Sequence, residues 1–519
     1  MIEAGLRKLA AAARSLWADT DGVILPYVTL MLVVFIGVAV LALDGARYMS
    51  LQTQLQKGAD ALAVAGAAEL DRLPDAITRA TNAVNNLVTN SSLFGTGGNV
   101  NVSVSSVRFL SSLPASDISY PIPNANVTTN PIQARFIEVT VQPVTIPTIL
   151  PASFFGGATS VTAGAGAVAG NDGVVCGLTP MFICNPFEQV GDSYAQATAR
   201  LVAASTDAAM RRTLLRFSDG SNNSGTWGPG DFGYLVPDSG SLATDSCFPA
   251  AGSNIGPAMA ASRPLICVRQ NGVDLQPGNA TAAIEGLNTR FGLYTPSMAS
   301  SCMATYPPDL NVRKGYREGS SGSPAERWCR ADPDGNPTGN PPTWPDGISG
   351  KSLPVDPCFN TNTCAPANMG ASSWDCQTYW GATHTANPTA LADPPTGCTA
   401  AATVSRYEVY QYEIAKNYHT DAQLVTGETG APQCSAATAQ ANRRIMNVAI
   451  VNCMSSPVTI QSNAQDVPVA AFGRFFLTVP VPVAAQNKPY AEFLGFLERG
   501  GGGGSGGNGG LFDHVQLYR

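Results

Sequence analysis

Charge is scarce in this sequence. Of 519 residues only 13% are Asp, Glu, Lys or Arg, about half the share found in an ordinary soluble domain. The basic residues form no block and the net charge is −7. A phosphate backbone demands clustered Lys and Arg, so nucleic acid is not an expected partner. Histidine is scarcer still, with three copies, which leaves little material for a histidine-based metal or acid–base centre. No cysteine pair has the C-x-x-C spacing that a zinc site wants. No internal repeat of fixed period is present either.

What is present is a long chain with room for two or three domains and a sizeable core. Glycine (52) and proline (38) are plentiful, favouring turns and irregular loops. There are twelve cysteines, all beyond Gly170: Cys176, Cys184, Cys247, Cys267, Cys302, Cys329, Cys358, Cys364, Cys376, Cys398, Cys434 and Cys453. An even number without metal-ligand spacing reads as up to six disulfides, which need an oxidising compartment. Their connectivity is not legible in the spacing.

From Val23 to Leu43 runs VILPYVTLMLVVFIGVAVLAL, 21 residues without a charge. As a helix this is just over about 30 Å long, enough to cross a hydrocarbon core. Pro26 falls in the first turn, where a missing N–H costs little, and Asp44 and Arg47 close the run. The stretch is longer than a signal-peptide core and lacks a small-x-small exit, so an uncleaved signal anchor is expected. Arg7, Lys8 and Arg14 precede it, while Arg47 and Lys57 follow. That bias directs the N-terminus inward, and every cysteine lies on the other side. The expected topology is a single pass through a bacterial inner membrane, with a periplasmic C-terminal domain.

Beyond the span a helical rhythm continues to Asp71, giving one rod of roughly 70 Å. Leu51, Leu55, Leu62 and Ala65 share a side, with Gly58 and Ala59 filling the gap between them. Gln52, Gln54, Gln56, Lys57 and Asp60 lie elsewhere. Small side chains let backbones approach closely. The surface suits a partner helix or the protein's own domain equally well.

Gly22, the apolar span, Asp44, Gly45, Arg47 and Tyr48 are followed by the Ala-rich run from Gln56 to Ala63. This ordered string resembles the N-terminal segment of TadE/TadG-like proteins of the Tad (Flp) pilus-assembly system. Val174–Glu188, Gly286–Tyr294 and Arg406–Ile414 also resemble segments of TadG-type proteins. The resemblance implies a pilus-assembly role, with partners among pilus-assembly proteins or pseudopilins met through the N-terminal helix. Two departures stand out. Small Tad pseudopilins carry a glutamate shortly after their cleavage glycine, but Val23–Tyr27 holds no acidic residue, which favours a retained anchor. Some larger relatives carry a D-x-S-x-S metal site; the nearest match, Asp219–Asn223, lacks the last serine.

The remainder reads as α+β. A helix is expected over Pro74–Val88 and strands over Asn99–Leu110 and Arg135–Val144, with a turn and boundary at Asn171–Gly173. Another helix is expected over Tyr194–Leu215. Met303–Ala402, rich in Pro and Gly and holding five cysteines, reads as a loop-rich insertion pinned by disulfides. Arg444–Asn452 is the best buried-strand candidate. Val467–Val483 is another, placing Phe475 and Phe476 on opposite faces. Gly500–Gly510 reads as a flexible tether, and Leu511–Arg519 as a strand returning to a sheet edge, the chain's own or a partner's.

Catalytic patterns fail on context. Gly503–Gly507 satisfies G-x-S-x-G inside a polyglycine run, where no strand–turn–helix can form. Gly350-Lys351-Ser352 ends like a phosphate-binding loop, but Pro345 occupies its first glycine position. Gly191-Asp192-Ser193 has no Asp-x-x-His companion, and His384 and His419 have no H-E-x-x-H context. Asp332–Asn336 is too short to furnish six calcium ligands.

The expected organisation is a cytoplasmic segment (1–22), a transmembrane anchor (23–43), a juxtamembrane helical region (44–90) and a β-rich subdomain (91–170). A cysteine-rich α+β external domain (171–499), a Gly-rich linker (500–510) and a docking tail (511–519) follow. The expected function is that of a membrane-anchored, non-enzymatic structural component of a Tad-type pilus system, embedded in inner-membrane lipid and using no cofactor. The alternative is an anchored adhesin or envelope-binding module.

Overall fold

Helix α1 (Ile24–Ala67) runs without a break for 44 residues, about 66 Å at 1.5 Å per residue. It belongs to a computed structural model that describes residues 24–86, 91–95, 98–114, 122–148, 159–171, 174–219, 227–236, 245–248, 255–261, 267–269, 272–276, 281–295, 298, 300–313, 329, 353–424, 427–461, 463–481, 489–497, 510–512 and 515–518. The helix passes through two environments. Between Tyr27 and Leu43 its large apolar side chains face outward all round; Leu30 and Leu41 are 70% and 75% exposed. From Leu51 onward one side is covered, and Leu51, Leu55, Ala59, Ala63 and Ala67 are fully buried.

An elbow joins α1 to α2 (Ala76–Asn86). Arg79 clamps it, reaching Glu69 at 2.5 Å, Asp71 at 2.6 Å and Asp75 at 3.0 Å. The helix expected over Pro74–Val88 is present at Ala76–Asn86, and Leu87 and Val88 lie outside the described residues.

A proximal set of strands follows: β1 (Ser91–Gly95), β2 (Gly98–Asn101), β3 (Val104–Leu110), β4 (Phe136–Val141), β5 (Val144–Pro147), β6 (Ser160–Ala163) and β7 (Gly166–Asn171). β3, β4 and β7 pair antiparallel in that spatial order, while β1–β2 and β5–β6 form separate hairpins. Ile137, Val139 and Val141 of β4 and Ala167 and Ala169 of β7 meet the buried side of α1. Small side chains on both elements permit a close approach. At Gly66 a Cβ would lie 2.5 Å from Ile137 Cδ1 and 2.8 Å from Val84 Cγ2, so only glycine fits without a shift. On the opposite face of this sheet Val168 packs with Leu110 and Ile122.

The distal strands are β8 (Val174–Cys176), β9 (Met181–Cys184), β10 (Leu214–Arg216), β11 (Ser218–Asp219), β12 (Asp231–Val236), β13 (Cys267–Arg269), β14 (Asp274–Gln276), β15 (Ile445–Val451), β16 (Ala471–Leu477), β17 (Tyr490–Phe496), β18 (Gly510–Phe512) and β19 (Val515–Leu517). Eight of them form a mixed sheet in the order β10-β17-β16-β15-β9-β12-β11, with β14 also on β12. Both faces are covered. Met446, Val448, Ile450 and Phe475 point into one core with Tyr194, Leu201, Leu287 and Phe291. Alternate residues point the other way: Ala449 and Val451 into one cluster and Phe476 into another. A strand buried on both faces needs apolar residues throughout, and IMNVAIV at Ile445–Val451 comes close.

Two expectations are revised. Tyr194–Leu215 is not one helix. The chain leaves the helix Tyr194–Thr206 at Asp207, whose extended backbone and carboxylate cap a second short helix, accepting from Ala209 N at 2.7 Å. Leu214–Arg216 then pairs with β17. The described part of the Pro/Gly-rich stretch is also more than pinned loop. Leu353, Trp374, Tyr379, Trp380 and Ala402 pack with Tyr410 and Phe476 into a core of their own against the sheet.

The tail pairs with the chain's own edges. β18 lies antiparallel to β8 and β19 antiparallel to β7, so one short segment borders both the distal and the proximal sheets. Tyr518 N donates to Val168 O at 2.8 Å, and its ring meets Phe136 edge-on at 5.2 Å. The tether that precedes it, residues 500–509, lies outside the described residues.

Candidate functional site

The element with the clearest capacity for intermolecular work is α1. Five of the six residues proposed as its packing seam, Leu51, Leu55, Gly58, Ala59 and Leu62, are buried, and Ala65 is half-buried. Their neighbours are the protein's own β4, β7 and α2. The opposite side of the same stretch, including Met49, Thr53, Lys57 and Ala61, is exposed. Along Tyr27–Leu43 the helix is exposed on every side, with a mean hydropathy of 2.4 in its most apolar window. Among the described residues one helix is therefore long and apolar enough to cross a membrane.

The body that α1 carries is cross-linked throughout its distal part. The twelve cysteines pair as Cys176–Cys267, Cys184–Cys453, Cys247–Cys302, Cys329–Cys434, Cys358–Cys364 and Cys376–Cys398. Cys176 and Cys267 stand directly opposite each other in the β8–β13 pair. Cys184–Cys453 continues the parallel contact of β9 with β15 and spans 269 residues of sequence.

Sequence reasoning missed a set of buried ionic groups. Arg406, at the start of the helix Arg406–Ala415, is fully enclosed. It pairs with Asp356 and with Glu492 (3.0 Å), donates to Pro354 O (2.7 Å) and stacks 4.9 Å above Trp374. Glu492 also accepts from the first-turn amides of Arg406 and Tyr407, both at 3.1 Å, which suits the positive end of a helix. Arg444 lies between the rings of Phe291 (4.6 Å) and Phe476 (4.7 Å) and donates to Leu477 O, Asn311 O and Thr478 O. Arg290 donates to Met259 O, Arg443 O and Ile445 O, and burial lowers its pKa to about 9. Burial lowers that of Arg443 to about 10. The available signal was the Arg443-Arg444 pair directly before an apolar strand, together with arginines inside two of the TadG-like segments.

Of the two histidines among the described residues, His384 is the one drawn into such a cluster. Its Nδ1 lies 2.7 Å from Asp421 Oδ2 and its Nε2 3.4 Å from Glu413 Oε1, with the ring 4.0 Å from that of Trp380. Glu413 accepts from Tyr379 (2.7 Å) and Asn311 (2.5 Å). Burial opposes its ionisation, yet the hydrogen bond from His384 and the nearby Arg313 outweigh it and hold the carboxyl below its ordinary range. His384 and Glu413 are 0% and 1% exposed, so a solvent-borne substrate has no route to them. The arrangement joins the helices at 376–383 and 406–415.

The rejected catalytic patterns resolve as far as they are described. Ser193 caps the helix Tyr194–Thr206 in a capping box with Gln196, and Asp192 pairs with Arg200. His419 lies 3.5 Å from Glu413 O. Asp219 sits in β11, while the rest of Asp219–Asn223, Asp332–Asn336, Gly350–Ser352 and Gly503–Gly507 lie outside the described residues. Among the described residues no group of three or more His, Cys, Asp or Glu is placed to hold a metal ion.

Residues 22–69 match the Flp pilus-assembly TadE/G-like family model. The N-terminal segment is TadE/G-like. The match ends two residues after α1 does, so the TadE/G-like segment is the rod itself, both its exposed apolar part and its sheet-packed part. Comparison of the chain with curated proteins and with solved structures finds no match.

Proposed function

We propose that the protein is a membrane-anchored structural or assembly component of a Tad (Flp) pilus system. The observation that carries this reading is the coincidence of the TadE/G-like match with α1, whose apolar half is left uncovered by the other described residues. In this reading Val23–Leu43 spans the inner membrane and the residues before it stay in the cytoplasm. The disulfide-bonded body stands in the oxidising periplasm. Own-domain packing uses the Leu51–Leu55–Ala59 side, so partner helices, whether assembly proteins or pseudopilins, meet the apolar half or the Met49–Thr53–Lys57 side. A rigid rod fused to a sheet transmits position rather than chemistry, which fits a scaffold and not an enzyme.

The test is site-specific crosslinking in cells from positions 49, 53 and 57, combined with a deletion strain. Capture of pilus-system proteins from these positions, with loss of pili on deletion, is the expected result. Intact pili in the deletion strain, together with surface binding by the isolated chain, would instead establish an anchored adhesin.

A further inference from the structure

We infer that a cleft beside β16 is a binding pocket for a phosphate-like oxyanion. The cleft has a volume of about 270 Å³ and is bordered by Arg211 and Arg212 from one element, Arg474 from another, and Ser405, Tyr407 and Glu408 from a third. Arg211 and Arg212 form the last turn of the helix Ala208–Arg212. Arg474 projects from β16 where its pairing with β17 shifts register.

Cations at a helix C-terminus are common for structural reasons alone. Two further observations go beyond that. The Nε–H groups of Arg212 and Arg474 have no hydrogen-bond acceptor among the described residues, although the Arg474 guanidinium interacts with the Tyr407 hydroxyl at the cleft wall. A buried donor left unpaired is costly; Arg290, Arg406 and Arg444 of the same domain place their Nε donors on carbonyl oxygens, whereas Arg216 Nε, like those of Arg212 and Arg474, has no acceptor among the described residues. Charge in the cleft is also unbalanced. The one carboxylate among its described lining residues, Glu408, is engaged in a capping box, accepting from Ser405 N at 2.7 Å and Ser405 Oγ at 2.9 Å. Three guanidinium groups thus face one committed carboxylate, in a chain whose overall charge is −7.

Guanidinium forks match oxyanions geometrically, giving paired N–H···O bonds. A doubly charged tetrahedral anion balances the excess charge of two and accepts from more than one direction, as donors arriving from separate elements require. The volume exceeds that of a bare phosphate, so the same site admits either the free ion or a phosphoryl ester with a short substituent. The residues involved lie far along the chain from α1, and the inference stands apart from the pilus reading.

The experiment titrates the full chain, purified in detergent micelles, with inorganic phosphate and separately with glycerol 1-phosphate. Ionic strength is held constant with chloride, and the readouts are binding heat and thermal midpoint. Saturable binding that raises the midpoint is expected, weakened at least tenfold by R212Q or R474Q and less by R212K. Because Arg474 lies in a central strand, the exposed R211Q serves as a variant that leaves the fold intact, with an expected weakening of about threefold. Tighter binding of glycerol 1-phosphate would identify a phosphoryl ester as the ligand, and equal binding the free ion; both support the pocket. The inference is overturned if chloride gives the same stabilisation, if neither phosphate binds, or if all variants bind as the wild type does.

Discussion

The module next to α1 contains no cysteine, and its interior is assembled from Leu51, Leu55, Ala59 and Ala63 on the helix against Ala167, Ala169, Ile137 and Val139 on the sheet. The distal module holds all twelve cysteines and encloses Arg290, Arg406, Arg443 and Arg444. The contrast follows from composition. Alanine and glycine let a helix lie close on a sheet, so dispersion and apolar burial suffice over a continuous surface. The distal module is interrupted by long Pro/Gly-rich connections, one of which carries a separate apolar cluster around Trp374 and Trp380. There, cross-links limit the freedom of the unfolded chain, and arginines satisfy carbonyls in loops and at the ends of helices and strands, such as those of Pro354, Met259, Ile445 and Leu477. The two modules meet at Asp466, which pairs with Arg72 (3.3 Å) and Arg135 (3.2 Å), and along the tail.

The largest effect should come from removing the longest cross-link. The double variant C184S/C453S is expected to cost the distal module about 5 kcal/mol, read as a fall in its denaturation midpoint. Amide exchange at Ile137–Val141 should stay slow. If both modules lose protection together, they unfold as one unit and the contrast fails.

Next is R406M. Removing this side chain leaves Asp356 and Glu492 buried without their cation, at an expected cost of about 3–5 kcal/mol. Adding E492L to R406M should recover part of the loss, because an apolar pair carries less desolvation cost than an orphaned charge. A single variant as stable as the wild type would show that these charges are not buried together.

On the proximal side L55A should cost about 2–4 kcal/mol through the cavity it leaves. Its effect should be unchanged by reductant, whereas that of R406M should grow when the disulfides are opened. Equal responses of the two variants to reductant would erase the distinction.

The smallest effect concerns acid. The Glu413 carboxyl is held below its ordinary value of 4.5. The stabilisation it contributes is therefore fully present above about pH 4.5 and is lost as pH falls through the lower folded value. E413Q should flatten that acid limb of the stability profile and leave the limb of L55A unchanged. An E413Q profile as steep as that of the wild type would remove Glu413 from the account.

Legibility along the chain tracks how local the cause is. The rod was readable because an uncharged run and a 3.6-residue rhythm are properties of neighbours in sequence, as were the alternating faces of Phe475 and Phe476. Asp207 was harder. The apolar and alanine-rich pattern continues through it, and only its extended backbone reveals that it ends one helix and caps the next. Arg406 and Arg444 were invisible as core residues. A guanidinium is buried only when acceptors from distant segments surround it, and those of Arg406 come from residues 354, 356 and 492. The oxyanion cleft likewise joins residues near 212, 405 and 474.

Composition and periodicity alone were enough to establish an apolar rod, an even set of cysteines and an α+β body, since each depends on side-chain chemistry read over short windows. Three matters had to wait for the folded chain: which cysteine meets which, which side of α1 is covered by its own sheet, and where the tail lands. They are contacts between segments tens to hundreds of residues apart, selected by shape and mutual desolvation, and such selection leaves no periodic trace in the order of residues.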